Sequence, residues 1–219
     1  MKYLTGIILC FTGIAACAQN KYNPTLKRQL DSVMVLDQKY RDTLTLLMTP
    51  DKAGATVKSM GMTVAAAINH YWRLQNVIDS TNTLFVEGVF KKYGYPGKTL
   101  VGDNTNEAAW YVIQHSKKID DYIPIIKEAA EAHELPFKLY AMMLDRYLMN
   151  KNQEQVYGTQ AVMRKLKASD KSQWFIWPIK DAQTVNQRRK DAGFPDTVEA
   201  NAKRLGIEYR VVKLPDIAM

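Results

Sequence analysis

Residues 106–160 organise the chain, and they read NEAAWYVIQHSKKIDDYIPIIKEAAEAHELPFKLYAMMLDRYLMNKNQEQVYGTQ. Most of this stretch is apolar with helical spacing, but three polar groups interrupt it: Gln114-His115, Asp145-Arg146 and Tyr157-Gly158-Thr159-Gln160. A helix of a folded domain buries its apolar face, so an ionisable group within that face must be paired, hydrated in a cleft or used in chemistry. We therefore expect any functional site to include these groups.

A further polar position lies upstream, in a helix predicted from Pro24 to Met48. Apolar residues recur there at alternating spacings of three and four, and Asp37 falls on the same stripe. Arg41 lies four residues after Asp37 and can meet it on one helix face. An exposed pair would be an ordinary intrahelical ion pair, whereas a buried pair would point to a site. The sequence leaves both interpretations open.

The middle of the chain is predicted to be helical after one loop. Thr49 to Met62 carries a proline and two glycines and is predicted to be that loop. A long helix is predicted from Thr63 to Tyr93, with Ser80 as the candidate position for a break. Further helices are predicted from Asp121 to His133 and after Pro136.

The residue composition changes in the C-terminal third. Two segments, Gln155 to Met163 and Gln173 to Ile179, hold β-branched and aromatic residues and predict a hairpin or two short strands. Two short helices follow, and the tail from Gly206 is expected to add one strand. The sequence thus predicts a mainly α protein: a single helical domain over residues 24–212 with a small β-hairpin or short strands in its C-terminal third.

The first residues predict export. Lys2 supplies a positive charge, Leu4 to Ile14 is a short apolar run, and the sequence Ile14-Ala15-Ala16-Cys17 matches a bacterial lipobox. Residues 1–17 are therefore predicted to be a lipoprotein-type signal peptide cleaved before Cys17, whose acylation would tether the chain to a membrane of the cell envelope. Ordinary cleavage after Ala18, giving a soluble periplasmic protein, remains the alternative.

Composition excludes several function classes. The net charge is +8, but basic and acidic residues alternate along most of the chain, and the short basic runs lack a binding motif around them. We predict no nucleic-acid partner. Histidines are too few at ligand spacing to predict a metal site, and no glycine pattern predicts a phosphate-binding cofactor. The two cysteines, Cys10 and Cys17, lie in or beside the signal and leave the mature domain without an internal disulfide.

The ordered series of polar motifs resembles an uncharacterised bacterial family, domain-of-unknown-function family 6624. The motifs are Asp37-Gln38 with Arg41, Asp79 with Asn82, Gly94-Tyr95-Pro96-Gly97, Gln114-His115, Asp145-Arg146 and Tyr157-Gly158-Thr159-Gln160. The series covers most of the mature chain, although the segment from Thr49 to Met62 does not match. The resemblance implies no activity and no catalytic residue, because the family has none established.

We assign candidate roles from residue chemistry. His115 is the candidate general base, because histidine exchanges protons near neutral pH, and Asp145 is the candidate carboxylate that orients it. Asp37, Gln38, Arg41, Gln114, Arg146, Tyr157 and Gln160 are the candidate substrate-binding residues, with an arginine holding any negative group. The expected ligand is small and either polar or anionic.

Two functions remain open. One is an envelope hydrolase or transferase; no Gly-x-Ser-x-Gly or His-Glu-x-x-His motif supports a particular chemistry. The other is a non-catalytic ligand-binding or interaction lipoprotein, in which the same polar residues form a buried network that fixes helix packing.

Overall fold

The computed structural model describes residues 22–169 and 171–218. The predicted signal peptide and Cys17 lie outside the described residues. None of the helices in the described part is long and apolar enough to cross a membrane.

Two helices form where one was predicted between Pro24 and Met48. Helix α1 spans Pro24–Gln38, and helix α2 spans Arg41–Met48. The break has a tertiary cause: the buried side-chain amide of Gln75 accepts a hydrogen bond from the Tyr40 backbone N–H (3.3 Å) and donates one to the Asp37 carbonyl (3.0 Å). Continuous helix would have used both backbone groups within its own ladder.

The predicted loop from Thr49 to Met62 is wrong, because helix α3 spans Pro50–Lys58 there. The proline stands at the first helical position, where its fixed φ favours a helix and its missing N–H costs nothing. Asp51 in the first turn and Lys58 in the last turn complement the helix dipole. Pro50, which suggests a loop in the sequence, thus begins a helix in the structure.

Helix α4 spans Val64–Tyr93 without interruption, so the predicted break near Ser80 is also wrong. Thr63 caps its start, and Gly94, at φ +71°, ends it. Asn82 is buried in mid-helix, where its side chain donates to the Val33 carbonyl of α1. Asn82 therefore connects α4 to α1.

Four helices follow, and the last three of them, together with α1 and α4, enclose the largest apolar cluster. They are α5 (Lys98–Val101), α6 (Ala108–His115), α7 (Ile119–Glu131) and α8 (Phe137–Asn150), with a short 3₁₀ turn at Thr105–Glu107 before α6. Trp110, Ile113, Ile126 and Met143 are almost fully buried in the cluster. Burial of side chains of this size contributes about 1.5–3 kcal/mol each. The cluster fixes α6 against α4 and α7, and α7 against α8.

The C-terminal third contains the predicted hairpin. Strand β1 (Ala161–Lys165) pairs antiparallel with β2 (Ser172–Ile176), with Met163 opposite Trp174. Helices α9 (Val185–Asp191) and α10 (Val198–Arg204) follow. The strand expected in the tail is reduced to a single bridge between Ile217 and Leu166 after a 3₁₀ turn at Leu214–Asp216. The fold class, mainly α with a small hairpin in this third, is confirmed.

Candidate functional site

Asp37 is fully buried near the end of α1, and three side chains donate hydrogen bonds to its carboxylate. His115 Nδ1 lies 3.1 Å from Oδ2, and Arg41 Nη2 lies 3.3 Å from Oδ1. Gln38 Nε2 donates to Oδ2 at 2.6 Å. The pair on one face of the predicted helix is therefore buried, which is the arrangement that pointed to a site.

The carboxylate of Asp37 is held in its ionised form. Burial, the largest influence, acts to raise the pKa of Asp37, but the hydrogen bonds from His115 and Arg41 and their electrostatic attraction together outweigh it and lower the pKa below its ordinary value of 3.8. An ionised carboxylate only accepts hydrogen bonds, so His115 Nδ1 must carry a proton and donate it. Asp37 thus fixes the tautomer of His115.

His115 is the last residue of α6, and its side chain is about one-fifth exposed. Its only hydrogen-bond partner among the described residues is Asp37, through Nδ1. Among the described residues, Trp110 Nε1 is the only enclosed side-chain nitrogen or oxygen that lacks a partner, so His115 Nε2 must reach solvent. This arrangement leaves Nε2 without a partner among the described residues and open to solvent.

A second layer of polar residues supports Arg41. Its Nη2 also donates to Asp79 Oδ1 at 2.7 Å, and Gln75 Nε2 donates to the same oxygen at 2.7 Å. Gln75 has no exposed surface. Sequence reasoning missed Gln75, although a signal exists: it stands seven residues before the buried Asn82 on the same stripe of α4, where an apolar residue is expected.

The predicted contact between Asp145 and His115 is not the one that forms. Asp145, fully buried on α8, accepts hydrogen bonds from the backbone N–H groups of Val156 (2.7 Å), Tyr157 (3.0 Å) and Thr159 (2.9 Å). Burial raises the pKa of Asp145 above 3.8, and the backbone amides oppose that shift. Asp145 therefore organises the loop before β1, and Asp37 takes the role predicted for it at the histidine.

Arg146 bridges α6 and the same loop. Its Nη1 donates to the carbonyl of Gln114 at 2.9 Å, and its Nε lies 3.4 Å from Gln160 Oε1. Burial, and then the nearby positive charge of Arg41, lower the pKa of Arg146. Arg146 forms no hydrogen bond or ion pair with Asp145 or Asp37.

The loop from Gln155 to Gln160 is held from several sides. Arg189 Nη1 donates to the Tyr157 carbonyl at 2.9 Å, and Asn201 Nδ2 donates to the Gly158 carbonyl at 3.0 Å. The Gln155 side chain bonds both backbone groups of Gln160. Sequence reasoning missed Gln155 and Asn201, which lie in polar segments with no distinguishing periodicity.

The candidate residues therefore divide into two groups. Gln38, Arg41 and His115 each hydrogen-bond to Asp37, and Arg146 connects Gln160 to the carbonyl of Gln114, the residue before His115. Asp145 belongs to the loop, and the Tyr157 ring lies beside Phe194, with centroids 6.1 Å apart. No group of three or more metal-ligating side chains occurs in the part of the chain that the structure describes.

Comparison with known proteins gives one match. The model of a family of unknown function, DUF6624, matches residues 61–210, which include His115, Arg146 and Gln160 but not Asp37 or Arg41. No curated protein and no solved structure matches the chain. The match spans more than half of the sequence, and the chain therefore belongs to the family of unknown function DUF6624.

Proposed function

We propose that the protein is an acid–base enzyme, a hydrolase or transferase acting on a small polar substrate, with His115 as the general base. One observation carries the proposal: His115 Nδ1 is bonded to the buried carboxylate of Asp37, while Nε2 faces solvent. A carboxylate at Nδ1 orients the ring, fixes the tautomer and stabilises the imidazolium that forms after proton transfer. These three effects suit a histidine to catalysis.

The proton that His115 accepts comes from water or from a substrate hydroxyl. Within the described residues, no serine, threonine or cysteine side chain bonds Nε2, so the enzyme forms no serine–histidine pair of the protease type in this state. His115 would activate the attacking oxygen directly. General base catalysis of this kind contributes roughly 10²–10⁴-fold to a rate.

The test is a turnover assay on a panel of carboxylic esters, amides and phosphate esters. We expect the parent protein to hydrolyse at least one class, with the rate falling about 10²-fold or more in His115→Gln. Asp37→Asn should cause a similar loss, because a neutral amide no longer fixes the tautomer. His70→Gln is the matched control, since His70 lies on α4 with no carboxylate partner, and its activity should stay at the parental level.

Reactivity of the ring provides a readout that needs no substrate. Diethyl pyrocarbonate acylates neutral imidazole, so peptide mass spectrometry should show faster modification at His115 than at His70 in the parent. Asp37→Asn should slow the reaction at His115. If no panel compound is turned over and His115 reacts no faster than His70, the polar cluster is a structural network and the catalytic proposal fails.

We further propose that the protein is exported and anchored to a membrane of the cell envelope through acylated Cys17. The support is the lipobox sequence Ile14-Ala15-Ala16-Cys17 behind a short apolar run. The tether would hold the helical domain at the membrane surface, where it meets small solutes of the envelope.

A further inference from the structure

Arg146 is a half-buried cation without an anionic partner. Its two protein acceptors, the Gln114 carbonyl and Gln160 Oε1, are uncharged, and no carboxylate of the described residues forms an ion pair with it. Arg189, the other enclosed arginine, is paired with Asp196. Buried charges in proteins are normally paired because removal of a charge from water costs several kcal/mol.

Arg41 adds to the excess of positive charge around Arg146. Burial lowers the pKa of Arg146, and the positive charge of Arg41 lowers it further. The carboxylates of Asp37 and Asp79 are engaged by Arg41, and neither reaches Arg146. Like charges repel each other, and a bound anion would relieve that repulsion.

Both guanidinium groups retain unused donors. A guanidinium has five N–H bonds, and Arg146 uses Nε and Nη1 while Arg41 uses Nε and Nη2. The remaining amino groups, Arg146 Nη2 and Arg41 Nη1, have no hydrogen-bond partner among the described residues, and neither is enclosed. Each therefore presents N–H groups to solvent.

We propose that Arg146 is the binding subsite for an oxyanion group of the substrate, either a carboxylate or a phosphate. The planar fork of a guanidinium matches both groups and forms short, charge-assisted hydrogen bonds with them. The inference rests on the proposed function and assigns the substrate class: a small acid whose anionic group is held apart from its reacting bond.

The backbone places this subsite next to the general base. Arg146 Nη1 is bonded to the carbonyl of Gln114, the residue that immediately precedes His115. Gln160 fixes the other edge of the guanidinium through Nε. An anion bound to this guanidinium would therefore lie close to the end of α6, where His115 is the last residue.

The test uses inorganic phosphate and acetate as probes, titrated into the full-length protein at constant ionic strength set with sodium chloride. We expect saturable binding by calorimetry and a rise in melting temperature for at least one probe, and the preferred probe distinguishes phosphate from carboxylate. Arg146→Gln should weaken that binding by about tenfold or more. Arg28→Gln is the matched control, because Arg28 is an exposed arginine of α1, and binding should be unchanged.

A second variant covers failure of Arg146→Gln to fold. Arg146→Lys keeps the charge and loses the fork, so it should fold and bind the probe with affinity between those of the parent and Arg146→Gln. Absence of saturable binding in the parent, or equal affinity in the parent and both Arg146 variants, would overturn the inference. His115→Gln separates the two proposals: it should bind the probe normally but lack turnover, whereas turnover without anion binding would refute the subsite alone.

Discussion

Replacement of Asp145 by alanine should reduce the free energy of unfolding by about 3 kcal/mol. The carboxylate is fully buried and receives the backbone N–H groups of Val156, Tyr157 and Thr159 at 2.7, 3.0 and 2.9 Å. A buried donor that loses its acceptor costs about 1–3 kcal/mol. These three residues are themselves half-buried, so water can reach their amides in part, and we take about 1 kcal/mol for each.

Two further effects set the limits of this estimate. Burial raises the pKa of Asp145, which means that the native state carries a cost for the ionised carboxylate, and removal of the group relieves that cost. The alanine also leaves a cavity, which adds a penalty. Because the two effects oppose each other, the loss should stay near about 3 kcal/mol rather than approach the upper end of the range for three unsatisfied amides.

The measurement is urea unfolding at neutral pH, followed by circular dichroism. Asp145→Asn should lose less than the alanine variant, because its amide oxygen can still accept from Val156 and Tyr157 while its NH₂ group meets the Thr159 N–H. Asp191→Ala is the control, since Asp191 is an exposed aspartate at the end of α9, and its loss should be well under about 1 kcal/mol. A loss below about 1 kcal/mol in Asp145→Ala would show that the amides are satisfied without the carboxylate.

Three other results are expected. Asp37→Asn should make stability depend less on pH in the acid range. Because the pKa of Asp37 is lower in the folded state, the unfolded state takes up the proton first as the pH falls, so the stability that ionised Asp37 contributes is present above about pH 4 and is lost as the pH falls through the folded-state pKa. Urea unfolding midpoints measured across the acid range will test this prediction. Gly158→Ala should destabilise the protein by about 1–3 kcal/mol, because φ is +68° and the new Cβ would lie 2.7 Å from Val198 Cγ2. Gly206→Ala is the control, because Gly206 has a similar φ of +74° but open space around it, so this variant measures the cost of the backbone conformation alone. Equal losses of stability in the two variants would contradict the packing argument. Cys17→Ser should abolish radiolabelled palmitate incorporation; incorporation that survives, or a mature chain that starts at Gln19, would defeat the lipoprotein proposal.

Helix positions could be predicted from the sequence where periodicity and local signals agree. The break at Tyr40 could not, because it depends on the Gln75 side chain, which comes from a helix 35 residues away. Helix α3 was missed because Pro50 at a first helical position and Pro50 in a loop have the same local signature. In both cases the deciding information is the surrounding structure.

The candidate site, like the fold, could be predicted from the sequence only in part. Asp37 and His115 could be singled out, because each interrupts an apolar helical run. The pairing of Asp37 with His115 could not be predicted from the sequence. Asp37 and Asp145 are both aspartates that interrupt an apolar helical run, and both are buried. Only the packing of α1 against α6 brings Asp37 to the histidine and leaves Asp145 to the loop amides.

The polar residues around Asp145 and those around His115 differ in how much of their hydrogen-bonding capacity is used within the protein. This difference distinguishes a structural network from a candidate site. The oxygens of Asp145 are filled by backbone amides, whereas His115 Nε2, Arg146 Nη2 and Arg41 Nη1 are each left open to solvent. Gln160 connects the two groups, since its backbone is fixed by the loop and its side chain meets Arg146. The loop network therefore positions the guanidinium, and loss of Asp145 should weaken anion binding at Arg146 in any fraction of the protein that remains folded.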